Sequence, residues 1–109
     1  MSEVTITNNT ESSHYEAVLD GEVVGFAEYR QHGDVVEFPH TVVEKAHSGQ
    51  GIAGRLANVA LDDAREAGHQ VVPTCSFFAS WIRRHPEYQE LVAEEGSWLP
   101  RRADGAERN

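Results

Sequence analysis

The order of apolar and polar positions changes its period at Gly49. Before that residue the pattern is strand-like. Val4 and Ile6 alternate with polar neighbours until Asn8-Asn9 interrupt them, which predicts a short first strand. His14–Leu19 and Glu22–Arg30 are strand-like runs joined by Asp20-Gly21, a pair suited to a two-residue hairpin. His32-Gly33 offers a second tight turn into Asp34–Val43, a run rich in β-branched residues. This half therefore reads as an antiparallel meander.

After Gly49 the spacing becomes helical. Ile52, Leu56, Val59, Ala60, Ala64 and Ala67 share one stripe, with Asp62, Asp63, Arg65 and Glu66 left for the wet side. Gly68 is a natural stop. Gln70–Cys75 reads as a short strand, with Pro73 confined to an edge, a bulge or the strand's end. Phe77–Arg84 predicts a second helix, and Pro86 opens a further short one through Leu91 and Val92. From Ser97 onward the chain is Arg/Asp/Glu-rich, so residues 96–109 are expected to form a loose polar tail behind a domain of residues 1–95. Trp98 is expected to be a packing anchor. The strand–helix–strand unit over residues 34–75 makes its two strands parallel neighbours. The fold class expected is α+β, a mixed sheet whose antiparallel strands are followed by one parallel pair.

Composition narrows the class. With 109 residues and 39% apolar content the chain builds one small domain, too short for a TIM barrel or a two-lobed enzyme. No apolar run approaches the roughly 20 residues that span a bilayer. The start, Met-Ser-Glu-Val-Thr-Ile, lacks the features of a signal peptide. The single cysteine, Cys75, rules out an intrachain disulfide and fits a reducing compartment, so a cytoplasmic location is expected. A net charge of −9 argues against nucleic acid or anionic lipid as a partner. That charge is uneven. Residues 45–86 carry five basic and three acidic residues, a balance of +2, which leaves −11 for the remainder and favours a small anionic ligand in this segment. The six histidines show no close ligand spacing and one cysteine completes no zinc site, so no metal is expected.

Gly49-Gln50-Gly51-Ile52-Ala53-Gly54 spells G-x-G-x-x-G at a strand-to-helix junction, where glycines let backbone approach a ligand and free helix amides attract an anion. A dinucleotide fold is disfavoured. Glu44 to Ser48 separate the strand from the first glycine, the next strand ends Val72-Pro73-Thr74-Cys75 without an acidic residue for a ribose, and most strands precede the loop. No lysine follows the glycines, which excludes a P-loop.

The stretch Val43-Glu44-Lys45-Ala46-His47-Ser48-Gly49-Gln50-Gly51-Ile52-Ala53 resembles the acyl-CoA-binding motif of the GNAT N-acetyltransferases, Q/R-x-x-G-x-G/A after a strand and a short loop. Ser48, Gly51 and Ala53 fall on its three defined places, with Ser48 replacing the initial Gln or Arg. The resemblance to a small single-domain subgroup continues through Ser13-His14-Tyr15-Glu16, Gly25-Phe26-Ala27-Glu28-Tyr29, His40-Thr41, Val72-Pro73-x-Cys75 and Arg84-His85-Pro86-Glu87-Tyr88.

The resemblance implies a GNAT-like mixed sheet in which the acyl-CoA-binding helix joins a splayed parallel strand pair. It implies acetyl-CoA as co-substrate, with its pyrophosphate over the amides of Ser48, Gly49, Gln50, Gly51, Ala53 and Gly54 and near Arg55 or Lys45. The pantetheine arm would run along Val42 and Val43, and the acetyl group would enter the splay near Cys75. Family members have two helices after the first strand and two more strands after the helix that follows Cys75, parts that shape the acceptor pocket; this chain has room for neither. The family's Asn-x-x-Ala-x-x-x-Tyr pattern is also absent, with Arg83 standing where the tyrosine belongs.

His40 and Cys75 are the candidate catalytic residues, one on each of the strands expected to flank the acetyl group. Two mechanisms are open: His40 activates Cys75 to carry the acetyl group as a thioester, or an amine attacks acetyl-CoA directly while His40 takes its proton and Cys75 returns one to the thiolate. Phe77, Phe78, Trp81 and Ile82 read as core, and His47 as an exposed loop residue. The expected function is acetyl transfer to an unidentified amine; the alternative is an acyl-CoA-binding module or sensor without efficient chemistry.

Overall fold

The computed structural model describes residues 3–93. The polar tail expected at 96–109, Trp98 included, lies outside them. The elements follow in the order β1 (Thr5–Asn9), β2 (His14–Leu19), β3 (Glu22–His32), β4 (Val35–Val43), α1 (Ile52–Ala67), β5 (Gln70–Val72) and α2 (Ser76–Arg84). Short 3₁₀ turns occupy Lys45–His47 and Pro86–Leu91. One sheet, ordered β1-β2-β3-β4-β5, is antiparallel throughout except for the parallel β4–β5 pair.

The hairpin at Asp20-Gly21 has φ of +52° and +81°, a turn in which both central residues are left-handed and whose twist matches the flanking strands. α1 buries most of the expected stripe: Ile52, Leu56, Ala60 and Ala64 are closed to solvent, with Ala57 and Leu61 beside them, whereas Val59 is half-buried and Ala67, at the helix end, is exposed. It ends where Gly68, at φ +76°, turns its N–H back to the carbonyls of Ala64 and Arg65. α1 packs on one face of the sheet against Tyr15, Ala17, Ala27, Val36 and Phe38, and α2 adds Phe78 and Ile82 to the same core. The rings of Phe38 and Phe78 stack at 4.5 Å, both fully buried. No described helix is long and apolar enough to cross a membrane.

Two irregularities decide which side chains face the helix. In β3, Ala17 pairs with Gly25 but Val18 pairs with Val23, so Val24 is an extra residue. In β4, Glu28 pairs with His40 but Arg30 pairs with Glu37, which puts one extra residue at Phe38-Pro39. Proline has no N–H to lose from the ladder, so a bulge is where an interior strand tolerates it. The bulge reverses the alternation along β4. Val36 and Phe38 point at α1 before it. After it, Thr41 shares that face as the partner of Ala27, while His40, partner of Glu28, takes the other.

The strand expected over 70–75 stops at Val72. Pro73 cannot extend the ladder, and Cys75 instead sits at the N-cap of α2. The segment stays tied to β4, since the Cys75 N–H donates to the Phe38 carbonyl at 2.8 Å. β3 runs two residues further than its sequence pattern indicates, to His32, and the helix expected at Pro86 is a 3₁₀ turn.

Two phenols fasten α1 to its surroundings. Tyr15 donates to Asp63 Oδ2 at 2.9 Å and Tyr88 to Asp62 Oδ1 at 2.8 Å. Burial first, then the hydrogen-bonded carboxylate, pushes the Tyr88 phenol up to about 12 and raises Tyr15 further still. Above the ordinary tyrosine value near 10 the unfolded chain loses phenolic protons that the native state retains. Stability to urea is therefore expected to hold level up to about pH 10 and to fall as pH rises through the native values. Tyr88→Phe should flatten part of that alkaline decline; an unchanged decline in both Tyr88→Phe and Tyr15→Phe would remove the phenols as its cause.

Gly54 of α1 lies directly against the Trp81 ring of α2. A Cβ there would stand 2.5 Å from Trp81 Cη2. The indole cannot swing freely, because its Nε1 donates to Asn58 Oδ1 at 3.0 Å. Gly54→Ala should cost about 1–3 kcal/mol in urea unfolding despite alanine's better helix propensity. Adding Trp81→Leu to that variant should recover part of the loss.

Candidate functional site

After Val43 the chain leaves the sheet through the turn at Lys45–His47 and reaches two left-handed glycines, Gly49 at φ +84° and Gly51 at φ +80°. Only glycine adopts this conformation without strain, and a Cβ at either position would meet nothing within 4 Å, so the loop is open on its outer side. The amides from Gly49 to Gly54 have no backbone acceptor among the described residues; the first intrahelical bond of α1 is Arg55 N–H to the Gly51 carbonyl. Neither capping side chain nor acidic residue occupies the first turn. Unopposed amides at a helix start favour an anion.

A groove of about 460 Å³ runs from this loop along the seam between α1 and α2. Of the residues expected to hold a cofactor, Val43, Ser48, Gly49, Gly51, Ala53, Gly54 and Arg55 line it. Gln50 is exposed beside it. Val42 points to the opposite sheet face and is 37% exposed, so only its backbone is available on the groove side. Six lining residues were not among the expected binding set: His47, Ile52, Asn58, Phe77, Trp81 and Arg84. The second helix carries two faces at i, i+4 spacing. Phe78 and Ile82 are buried as expected, whereas Phe77 and Trp81, stacked at 5.7 Å, form a groove wall. Arg84 lies over the Trp81 ring at 5.4 Å. His47 is half-buried rather than exposed, and its Nδ1 is closed to solvent without a partner.

β5 pairs with β4 only from Val35 to Glu37, so the edge of β4 beyond the bulge has no partner strand. Cys75 stands across this splay. Its half-buried Sγ lies 3.4 Å from Thr41 Oγ1. His40 is exposed on the other face, its ring 6.2 Å from Phe26, which in turn stacks on His14 at 4.3 Å. The structure thus brings Cys75 to Thr41, not to His40: the two expected catalytic residues flank the splay from opposite sides of β4. Arg83 is exposed. No cluster of metal-ligating side chains occurs among the described residues.

Comparisons with known proteins agree with this architecture. The family model described as GCN5-related N-acetyl-transferase matches residues 14–91. Protein NATD1 of Danio rerio is 33% identical over 82 residues, 73% of this chain and 68% of that protein. Protein NATD1 of Mus musculus is 35% identical over 78 residues, 72% of this chain and 64% of that protein. The solution structure of a GCN5-like protein from Staphylococcus aureus superposes with a TM-score of 0.66 at 20% identity, covering 96% of this chain and 99% of that one. A ribosomal-protein-alanine N-acetyltransferase from Brucella melitensis gives a TM-score of 0.54 at 24% identity over 81% of this chain and 69% of that one. The shared fold, the glycine loop at the head of α1 and the span of the family match together make this chain a member of the GCN5-related N-acetyltransferase family.

Proposed function

We propose that the protein is an acetyl-CoA-dependent N-acetyltransferase that moves the acetyl group directly to an amine. The observation that carries the reading is the groove that starts at the open glycine loop and takes in Val43, the end of the unpaired β4 edge, two residues along from the Thr41 that meets Cys75. Unopposed amides and Arg55 suit a pyrophosphate, and Arg84 adds charge on the far wall. The orphaned His47 Nδ1 suits a donor or acceptor on the bound molecule. Residues Phe77 and Trp81 suit the apolar length of a pantetheine arm, and the free β4 edge suits its amides. The single free cysteine fits a reducing, cytoplasmic setting.

The opposite-sided placement of His40 and Cys75 supports direct transfer. The amine nitrogen attacks the thioester carbonyl from the open face of the sheet. His40 accepts the amine's proton as the C–N bond forms. The C–S bond breaks, and the departing CoA thiolate takes a proton from the Cys75 thiol or from water; both groups then re-equilibrate with solvent. A thioester on Cys75 is the competing route. The second reading, an acyl-CoA-binding module, draws on the open face itself: His14, Phe26, Glu28 and His40 share it and none of the four is buried, so the surface around His40 is not enclosed.

Calorimetric titration should show saturable binding of acetyl-CoA at one site; absence of binding would falsify the reading. Release of free thiol over a panel of amines separates transferase from binding module. In the direct route His40→Gln should lower turnover by about 10²–10⁴-fold with little change in acetyl-CoA affinity. Cys75→Ala should lower it less, since a thiol ionises near pH 8.5 and leaves readily unaided. Mass spectrometry should find no acetyl adduct on wild-type Cys75. An adduct that forms and decays at the turnover rate would replace the direct route with the covalent one.

A further inference from the structure

A second concavity of about 220 Å³ lies further along α1, against its C-terminal half, whereas the groove begins at its first turns. Its floor is apolar, formed by Val36 and Phe38 of β4 and by Ala60, Ala64 and Ala67 of α1, whose small side chains leave the space open. Tyr15 and Tyr29 wall it with rings 5.4 Å apart, inclined at 50°. Asn8, Gln31, Asp63 and His69 supply its polar margin.

The hydrogen-bond inventory of that lining is one-sided. The Tyr15 hydroxyl donates to Asp63 Oδ2 at 2.9 Å and the Tyr29 hydroxyl to Asn8 Oδ1 at 2.9 Å. The Gln31 amide nitrogen faces the Gly33 carbonyl at 3.1 Å and His69 Nε2 at 3.4 Å, which occupies both of its protons. Among the described residues this leaves the Asn8 amide and His69 Nδ1 as uncommitted lining side-chain donors. Acceptors are in surplus: Asp63 Oδ1, the Gln31 carbonyl and the lone pairs of both phenols. Asp63 is the one carboxylate of the lining, and no lysine or arginine accompanies it. A carboxylate beside two aromatic rings, with acceptors unfilled, matches a donor-rich cation.

We propose that this pocket binds a small organic ammonium ion: a primary amine cation with a compact apolar body, its charge on Asp63 and its carbons on the alanine floor. A cavity of about 150 Å³ takes a benzene ring, so this space suits a body of roughly six heavy atoms. The site is separate from the acetyl-transfer path in its lining residues, but it shares β4 with it. Phe38 floors the pocket, stacks on Phe78 and accepts the Cys75 N–H.

Three isosteric probes test the proposal: isopentylamine, isopentanol and isovalerate, titrated into the ¹⁵N-labelled protein at neutral pH. Isopentylamine should saturate with shifts centred on Tyr29, Ala64, Ala67 and His69, at about millimolar affinity. Isopentanol should bind about tenfold more weakly and isovalerate not at all. Asp63→Asn, which keeps an acceptor for Tyr15, should weaken the amine about tenfold and leave isopentanol unchanged. Ala67→Leu, at the exposed margin, should block both the amine and the alcohol while the spectrum elsewhere stays native. Equal binding of the three probes, insensitivity to both substitutions, or amine shifts confined to the glycine loop or to His40 and Phe26 would overturn the proposal. So would the absence of saturable shifts.

Discussion

One extra residue in β4 governs the geometry of this molecule. Phe38-Pro39 interrupts the ladder with β3, and everything beyond it changes sides. Without the interruption His40 would continue the buried row of Val36 and Phe38, a costly place for an imidazole with no partner. With it, His40 reaches the open face and Thr41 turns to meet Cys75. The same residue bends the strand away from β5, whose pairing ends at Glu37. Phe38 holds this arrangement rigid from within: its ring is locked on Phe78 and its carbonyl receives the Cys75 amide.

In the proposed reaction, binding and chemistry fall to different physical terms. At the glycine loop the attraction is electrostatic and comes from backbone, so it persists although Ser48 replaces the side chain that usually starts the motif. Along the groove it is burial, through Phe77 and Trp81. At the splay it is placement alone. Neither His40 nor Cys75 is held by a dense polar network: Cys75 has Thr41 beside it, and His40 has an aromatic neighbour at 6.2 Å.

Much of this was legible in the residues. Alternation in Val4–Ile6 and His14–Arg30, the Asp20-Gly21 turn and the helical stripe from Ile52 to Ala67 are local signals, and each maps onto an element. The family, the mixed sheet and the glycine loop followed from motif order. The parity reversal was not legible, because Pro39 within a strand-like run announces an irregularity without saying which neighbours change face. The early end of β5 has the same origin in Pro73, whose presence allowed an edge, a bulge or a terminus. The groove wall was hidden differently. Phe77, Phe78, Trp81 and Ile82 form two i, i+4 pairs, and only the packing of α1 through Gly54 decides which pair is core.

That Gly54 contact gives the molecule a built-in optical reporter. Trp81 is one of the chain's two tryptophans and the one among the described residues, so a Trp98→Phe background isolates its emission. Its indole is clasped between Asn58 and the Arg84 guanidinium, with the His85 ring stacked at 4.1 Å. It is half-buried on the groove's own wall, so a molecule entering the groove displaces water from its ring and alters the quenching by its imidazole neighbour. Light emitted by this one side chain therefore registers traffic through the groove directly, while the concavity further along α1 stays out of its view.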